Sequence, residues 1–220
     1  MAEGTLYIGN KRYSSWSLRG WLAVQLAGLD VAEVVIPIAG HGPGSTPAVA
    51  AASPSGLVPC LEHRGARIWD SLAIGEYCAE LAPGLWPADR VLRAHCRAIS
   101  AEMHSGFRGL RQAMPMNLGK RFPGQGRTPE ALADIARIEA IWQEARALSG
   151  GPFLGGAAFG LVDAMFAPVA TRFLTWQPEL AADSLDYVAT LRAHPLMAAW
   201  YEAALNEPDA WLIPHYENPA

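Results

Sequence analysis

A proline at the head of a short strand pattern is the feature that most restricts how this chain can fold. Residues 56–62 read Gly-Leu-Val-Pro-Cys-Leu-Glu, and Pro59 precedes the apolar part of the run. Proline has no backbone N–H to give to a central sheet ladder, so Pro59 predicts a tight turn, with a cis peptide bond as one alternative. With a cis bond, Val58 can offer its free N–H and C=O groups to an extended ligand.

A carboxylate and a hydroxyl follow the next strand pattern. Asp70 and Ser71 come directly after the run 67–69 and directly before a helical pattern at 72–81. Both side chains are therefore expected at a helix N-terminus, where free N–H groups and the helix dipole favour a ligand carboxylate. The Asp70 carboxylate can in turn meet a ligand ammonium group. These features predict a ligand with an amino-acid head and a peptide-like middle, and glutathione fits that description.

The first third of the chain alternates between strand and helix patterns. Four short apolar runs with turn residues between them predict strands, at 5–8, 31–38, 57–62 and 66–69. Helical patterns occupy 17–27, which ends at Gly28, and 72–81. The first two strands with their helix predict a βαβ unit with a parallel pair, and the last two predict an antiparallel hairpin. This succession is the thioredoxin-like order.

The remaining chain shows only helical periods. Apolar residues recur at the spacing of one helix face and predict a helix: Met103, Phe107, Leu110 and Met114. A later helix is expected to begin after its cap Thr128 and to end before Gly150. The stretch 83–87, rich in proline and glycine, predicts a linker. We therefore expect one domain at 1–82 and an all-helical domain at 88–220.

Three features together resemble the glutathione transferase (GST) superfamily: the Val58-Pro59 turn, the Asp70-Ser71 pair and a helix start near Asp163. The resemblance extends over 6–211. In that family a serine or threonine stands three residues before the aspartate of the helix motif. Here Gly160 holds that position, so we expect a structural Asp163 that stabilises the helix start by itself.

The run Ser-Ser-x-Ser-x-Arg at 14–19 resembles most closely the zeta class of the superfamily, in a bacterial member. Zeta-class proteins include maleylacetoacetate isomerases, and their pattern has a cysteine where this chain has Trp16. The resemblance implies an α+β two-domain GST fold, in which a thioredoxin-like domain (βαβαββα) is followed by an all-α domain. It also implies a homodimer that binds glutathione and a small electrophile.

Two serines are the candidate catalytic residues. Glutathione chemistry needs the thiolate, and a free thiol, with a pKa of about 8.5, is mostly protonated at neutral pH. Ser14 and Ser15 precede the first helix, where a hydroxyl donor and a helix N-terminus both favour the charged sulfur. The zeta motif makes Ser14 the stronger candidate and Ser15 the reserve, with Tyr13 as a rival. The alternative is that these serines only cap the helix.

The glutathione-binding residues are expected to be Ser14, Trp16, His41, Val58, Pro59, Asp70 and Ser71. Of these, His41 lies in a glycine-rich loop and can contact the glycine carboxylate of glutathione. A solvated loop histidine is the alternative for that position.

A group of cations is expected at the pocket for the second substrate. His104, Arg108 and Arg111 follow the spacing i, i+4 and i+7, which predicts one shared helix face. In the architecture that the resemblance implies, this helix borders the pocket, and Arg172 can reach it from a later helix. Such a group can attract an anionic electrophile or the thiolate itself, whereas the alternative is a solvated helix face.

Other polar residues point to structural roles. Arg19 lies inside the first predicted helix, where a charge needs a partner, so we expect a salt bridge that supports the fold. Cys60, Cys78 and Cys96 are odd in number and form no Cys-x-x-Cys pair. They indicate free thiols in a reducing compartment rather than disulfides or a metal site.

Composition narrows the classes of partner. A net charge of −4 gives no reason to expect nucleic acid. No apolar run approaches the roughly 20 residues that a membrane helix needs. The first residues carry no basic signal-peptide pattern. We expect a cytoplasmic protein with no metal and with neither nucleic acid nor membrane as a partner.

The sequence thus predicts a glutathione transferase that activates the thiolate for attack on a small electrophile, an activity of the detoxification type. A glutathione-dependent isomerase of the maleylacetoacetate type is one alternative. A non-catalytic interaction protein on the same fold is another, because a fold does not fix a function. A thiol-disulfide redox enzyme would need a cysteine at the helix start near Ser14, and the sequence has none there.

Overall fold

The computed structural model describes residues 2–38 and 46–219. The first part of the chain forms four strands and three helices in the order β1 Gly4–Ile8, α1 Ser15–Leu26, β2 Ala32–Val35, α2 Pro47–Ala52, β3 Cys60–His63, β4 Ala66–Trp69 and α3 Ser71–Leu81. The strands form one sheet in the order β2-β1-β3-β4, with β1 parallel to β2 and the other pairs antiparallel. This is the thioredoxin-like order predicted from the sequence.

Strand alternation and the Pro59 turn set the register of this sheet. Leu6 pairs with Leu61 across β1 and β3, and both side chains are buried in the same core as Ile74 of α3. The Val58-Pro59 peptide bond is cis, and β3 begins at the residue after the proline. Pro59 therefore lies just outside the central strand β3, where its missing N–H costs the ladder no hydrogen bond.

The second part of the chain is helical. Its helices are α4 Arg90–Ser105, α5 Arg108–Ala113, α6 Pro129–Ser149, α7 Leu161–Trp176, α8 Ala182–Ala193, α9 Pro195–Leu205 and α10 Pro214–Glu217. Helix α7 is buried along almost its whole length and packs against α1, α4 and α8. It forms the centre of the molecule and joins the helical part to the sheet part. None of the described helices is long and apolar enough to cross a membrane.

The single helix predicted around 103–114 is wrong, because the chain breaks there. Helix α4 ends at Ser105, and Phe107 adopts the left-handed conformation with φ 61° and ψ 45° before α5 begins. A Cβ atom on Gly106 would lie 2.8 Å from the carbonyl oxygen of Glu102, so the break requires glycine there. Met103 and Phe107 are still buried, so two short helices preserve the apolar period that one helix would have given.

Asp163 holds the start of α7, as predicted. Its Oδ2 accepts the N–H of Gly160 at 3.0 Å, and its Oδ1 accepts from the Leu154 N–H at 2.9 Å and the Tyr187 hydroxyl at 2.7 Å. Burial raises the pKa of Asp163 to about 6, although these hydrogen bonds oppose the shift. Asp163 thus makes the carboxylate half of a capping box, while Gly160 lacks the hydroxyl that would accept the Asp163 N–H.

Residues 206–219, here termed the C-terminal segment, return to the loop that precedes α1. The Glu207 carboxylate accepts the backbone N–H of Lys11 at 2.5 Å and that of Arg12 at 3.1 Å. The Tyr13 hydroxyl donates to Glu217 at 2.6 Å. These contacts hold the loop that leads into α1. They therefore help to position Ser14 and Ser15 at the start of that helix.

Candidate functional site

A cleft of about 470 Å³ opens where the turn before β3, the start of α3, the start of α1 and the end of α4 meet. Its lining consists of Trp16, Ser55, Leu57, Val58, Pro59, Trp69, Asp70, Ser71 and His104. Five of the residues that the sequence predicts for glutathione therefore share one cleft, together with His104 from the predicted second pocket. His41 lies outside the described residues.

Val58 presents its backbone to this cleft without an internal partner. Within residues 2–38 and 46–219, no turn, loop or ladder hydrogen bond joins the Val58 backbone to another residue. Its N–H and C=O groups are therefore free for an extended ligand chain. A peptide that lies along this edge can exchange main-chain hydrogen bonds as an added strand does.

Asp70 occupies a strained position at the start of α3. Its φ of 77° and ψ of 130° are rare for a residue other than glycine, and such backbone outliers cluster at ligand sites. Its Oδ1 accepts the Leu72 N–H at 2.8 Å, and its Oδ2 lies 3.1 Å from His104 Nε2. Burial alone would raise the pKa of Asp70, but the hydrogen bonds and charge of His104 together with the cap bonds outweigh it and lower the pKa.

Ser71 places an unused hydroxyl at the same helix start. The residue is 2% exposed and lines the cleft, and its Oγ has no hydrogen-bond partner in the described part of the chain. A buried hydroxyl without a partner costs free energy in the empty site. A ligand carboxylate at the helix N-terminus would satisfy it.

The two candidate serines have different partners. Ser14 caps α1: its Oγ accepts the Ser17 N–H at 3.3 Å and donates to the Ser17 hydroxyl at 2.7 Å. The Ser15 Oγ instead accepts from Nη2 of Arg172 at 3.3 Å. The described residues supply no acceptor for the Ser15 proton. Ser14 is thus engaged as a helix cap, whereas Ser15 retains a proton to donate.

Tyr13, the rival thiol partner, is committed to the C-terminal segment. Its hydroxyl donates to Glu217 and accepts the Ile213 N–H at 3.3 Å. Burial, followed by the hydrogen bond to Glu217, raises the pKa of Tyr13 far above its ordinary value. The hydroxyl serves the fold of this region.

The predicted face of three cations does not form. His104 ends up in the cleft on α4, whereas Arg108 and Arg111 lie on α5 beyond the break, and Arg108 is exposed. The left-handed Phe107 resets the helical phase, which is why the spacing i, i+4, i+7 fails. Arg111 instead turns inward and donates to the carbonyl oxygens of Gly106 and Met103.

The side chain of Trp16 contacts basic residues for which the sequence predicted separate roles. The guanidinium carbon of Arg19 lies 4.6 Å from the centre of a Trp16 ring, and that of Arg111 lies 4.7 Å from it. The His104 ring meets Trp16 edge-on at 5.2 Å. Such distances are those of cation–π contacts. Trp16 therefore lines the cleft and contacts three basic side chains, of which His104 also lines the cleft.

The salt bridge predicted for Arg19 is wrong. Arg19 is 1% exposed and has no carboxylate within 4.0 Å among the residues described. Its Nε donates to the Met165 carbonyl oxygen at 2.8 Å, while Nη1 and Nη2 have no partner. Burial, and then the charges of Arg111 and Arg172, lower the pKa of Arg19. The buried guanidinium of Arg19 therefore has no carboxylate partner among the described residues.

The comparisons with known proteins agree with this geometry. The N-terminal domain model of the glutathione S-transferases matches residues 13–81, and their C-terminal domain model matches residues 125–203. Together the two matches span about two thirds of the chain. The chain therefore belongs to the glutathione S-transferase superfamily. No curated protein matches the sequence.

Solved structures show the same fold. A theta-class glutathione S-transferase from Xanthomonas axonopodis pv. citri, with glutathione bound, is 23% identical, with a TM-score of 0.66 over 94% of this chain and 99% of that chain. A glutathione transferase homologue from a Burkholderia strain, also with bound glutathione, is 22% identical, with a TM-score of 0.69 over 93% and 99%. A diazinon-metabolizing enzyme from the silkworm Bombyx mori is 16% identical, with a TM-score of 0.72 over 93% and 98%.

Proposed function

We propose that this protein is a glutathione transferase, which binds glutathione in the cleft and activates its sulfur for attack on a small electrophile. The observation that best supports the proposal is the buried Ser71 hydroxyl, which has no hydrogen-bond partner and lies at the N-terminus of α3. It shares the cleft with the free backbone of Val58, and α1 begins at the same cleft. Membership of the superfamily supports glutathione as the ligand.

The amino-acid end of glutathione would lie at the start of α3. The Ser71 hydroxyl and the positive end of the helix dipole there would receive the γ-glutamyl carboxylate, and the Asp70 carboxylate would face the ammonium group. The peptide middle would lie against Val58. The contact between Asp70 and His104 leaves Asp70 capacity for this role, because a carboxylate has several acceptor positions.

The sulfur would then lie at the start of α1. The zeta-like motif favours Ser14 as its partner, but the bonding pattern supports Ser15, whose hydroxyl accepts from Arg172 and still has a proton to donate. The guanidinium polarises that hydroxyl and strengthens its hydrogen bond to a thiolate. We propose Ser15 as the thiolate donor and Ser14 as the cap that fixes its backbone.

We also propose a cytoplasmic homodimer with a detoxification role. Three free and buried cysteines, Cys60, Cys78 and Cys96, suit a reducing compartment. Exposed apolar side chains at Leu57, Trp69 and Val91 suit a contact between two copies. The closeness to the zeta class and the domain boundaries at 82 and 88 stay predictions.

A turnover assay tests the proposal. We expect the wild type to conjugate glutathione to 1-chloro-2,4-dinitrobenzene, and Ser15→Ala to lower kcat by about a hundredfold, the usual cost of losing one donor to a developing charge. Ser14→Ala, which removes only the cap, should cost stability more than kcat. Glutathione binding without turnover by the wild type would favour the interaction protein, and equal losses in both variants would reject Ser15 as the specific donor.

A further inference from the structure

We propose that His104 competes with the ammonium group of glutathione for the Asp70 carboxylate, so that the ligand binds best when His104 is neutral. His104 lies on α4 and Asp70 caps α3, and both side chains line the cleft. The inference rests on the proposed function, because it concerns how protons regulate ligand binding at that same site. Its consequence is that glutathione binding is coupled to the release of a proton from His104.

The two oxygens of Asp70 have different partners. Its Oδ1 accepts the N–H groups of Leu72 at 2.8 Å and Ala73 at 3.4 Å, which belong to the start of α3. Its Oδ2 lies 3.1 Å from Nε2 of His104. Within residues 2–38 and 46–219, no other basic side chain has a nitrogen within 4.0 Å of this carboxylate. An ammonium group that approaches Oδ2 from the cleft therefore meets the imidazole ring there.

The two nitrogens of the His104 ring are also unequal. Nε2 must carry a proton in order to donate to the Asp70 carboxylate. Nδ1 is buried and has no hydrogen-bond partner in the described part of the chain, and the ring meets Trp16 edge-on at 5.2 Å. A second proton on Nδ1 would add a charge without adding a hydrogen bond there. Neutral His104 can thus hold Asp70 in place and leave its negative charge to a ligand.

The charges around His104 are mostly positive. Two guanidinium groups lie against the same Trp16 ring as the imidazole, those of Arg19 from α1 and Arg111 from α5. The other charged groups on the helices around α4 are engaged elsewhere: Arg172 of α7 with Ser15, Arg137 of α6 with Glu102, Asp134 of α6 with the Leu110 N–H, and Glu76 of α3 with Arg97.

Asp70 is therefore the one carboxylate within 4.0 Å of His104 among the residues described. A protonated His104 and a ligand ammonium group would be two like charges on this single carboxylate, and like charges at such a distance repel. Loss of the His104 proton removes that repulsion while the bond from Nε2 to Asp70 is kept.

The expected pH dependence has a definite sign. Histidine is the side chain that changes its charge between pH 5 and 8, and His104 is the one histidine among the described residues that line the cleft. Burial alone would raise the pKa of Asp70, but its bonds to His104 and to the cap amides lower it, so the carboxylate stays ionised above pH 5. Affinity for glutathione should therefore fall as the pH falls, because His104 gains the charge that opposes the ammonium group.

Calorimetric titration at pH 5.5 and pH 7.0 tests the inference. The ligands are glutathione and S-methylglutathione, whose sulfur cannot ionise and so adds no titration of its own. The wild type is compared with His104→Gln, because the glutamine amide can still donate to Asp70 but cannot gain a proton. Circular dichroism at both pH values checks that each protein is folded.

Two further variants serve as controls. His95 lies on the same helix as His104 but outside the cleft, so His95→Gln controls for the loss of a histidine from α4. His41→Gln removes the other histidine that the sequence predicts for the ligand, and thereby separates its titration from that of His104.

We expect the wild-type Kd for S-methylglutathione to rise by at least about threefold from pH 7.0 to pH 5.5. His104→Gln should bind with the same affinity at both pH values, whereas His95→Gln and His41→Gln should keep the rise. At pH 6.5, titrations in two buffers of different ionisation enthalpy should show a fraction of a proton released on binding to the wild type and none on binding to His104→Gln.

A wild-type affinity that does not fall at pH 5.5, or a fall that persists in His104→Gln, would overturn the inference and leave the transferase proposal intact. Should His104→Gln fail to fold, the histidine ring signals of the wild type are followed by NMR through a pH titration with and without S-methylglutathione. One signal should then titrate at lower pH with the ligand, and unchanged midpoints for all of them would overturn the inference. Binding of neither ligand to the wild type at millimolar concentration would overturn both proposals.

Discussion

At the scale of single residues, identical side chains differ in their bonding. Ser14 and Ser15 are adjacent and equally buried, yet Ser14 is closed within the cap of α1 and Ser15 faces Arg172. The motif at 14–19 predicts that a serine lies at the helix start. Which serine has a free proton depends on a guanidinium 157 positions later in the chain, and local spacing carries no information about it.

Arg19 gives a prediction about stability at this scale. We expect Arg19→Met to raise the free energy of unfolding, without ligand, by about 1 to 2 kcal/mol, because it removes an uncompensated buried charge and keeps most of the volume. Urea denaturation of both proteins measures the change. Arg90→Met, an exposed substitution with the same loss of charge, should change it by less than about 0.5 kcal/mol.

A loss of stability in Arg19→Met would contradict this account. It would mean that the bond from Arg19 to the Met165 carbonyl oxygen and the contact with Trp16 outweigh the cost of the charge. The buried guanidinium of Arg19 would then stabilise the fold despite its charge.

At the scale of elements, the site is formed by the N-termini of α1 and α3 and is supported by the C-terminal segment. The N-termini of α1 and α3 approach the same cleft, and their packing against each other is extensive. The C-terminal segment closes on the loop before α1 through Glu207 and Glu217. The position of the candidate serines is therefore set by residues from the end of the chain.

The C-terminal segment supplies a second prediction. Glu217→Ala leaves the Tyr13 hydroxyl without its acceptor, and we expect a loss of about 1 to 3 kcal/mol in the free energy of unfolding. Hydrogen exchange at residues 10–14 should quicken, and KM for glutathione should rise. Glu179→Ala is the control, because Glu179 is 92% exposed at its side chain and forms an exposed ion pair with Arg127. Unchanged exchange in Glu217→Ala would show that the segment does not support the loop.

The elements themselves could largely be predicted from local sequence. Turn residues and apolar periods predicted the succession of strands and helices with one parallel pair and one hairpin, and the cap at Thr128 with Gly150 predicted the bounds of α6. The break at Phe107 could not be found in this way, because the apolar period continues through it. A hydrophobic pattern records which residues are buried and not whether one helix or two buries them.

At the scale of the whole molecule, α7 joins the sheet to the helical part. It packs on α1, and the bond from Arg19 to Met165 crosses the same contact. The contact of Asp70 with His104 and that of Ser15 with Arg172 also link the two parts. These three contacts could not be predicted from the sequence, because each depends on how separate elements pack against one another.

The proposed function requires that the cleft bind glutathione through the start of α3. The most direct measurement is calorimetric titration of the wild type, Ser71→Ala and Ser100→Ala with glutathione. Ser100 matches Ser71 closely: its hydroxyl is also buried without a partner in the described structure, but it lies on α4 outside the cleft.

We expect saturable binding by the wild type and by Ser100→Ala, and about tenfold weaker binding by Ser71→Ala, because the ligand carboxylate loses a buried donor. Both variants should be at least as stable as the wild type without ligand, since each loses a buried hydroxyl that has no partner in the described structure. Absence of binding to the wild type at millimolar glutathione, or equal affinity in Ser71→Ala, would contradict this mode of glutathione binding.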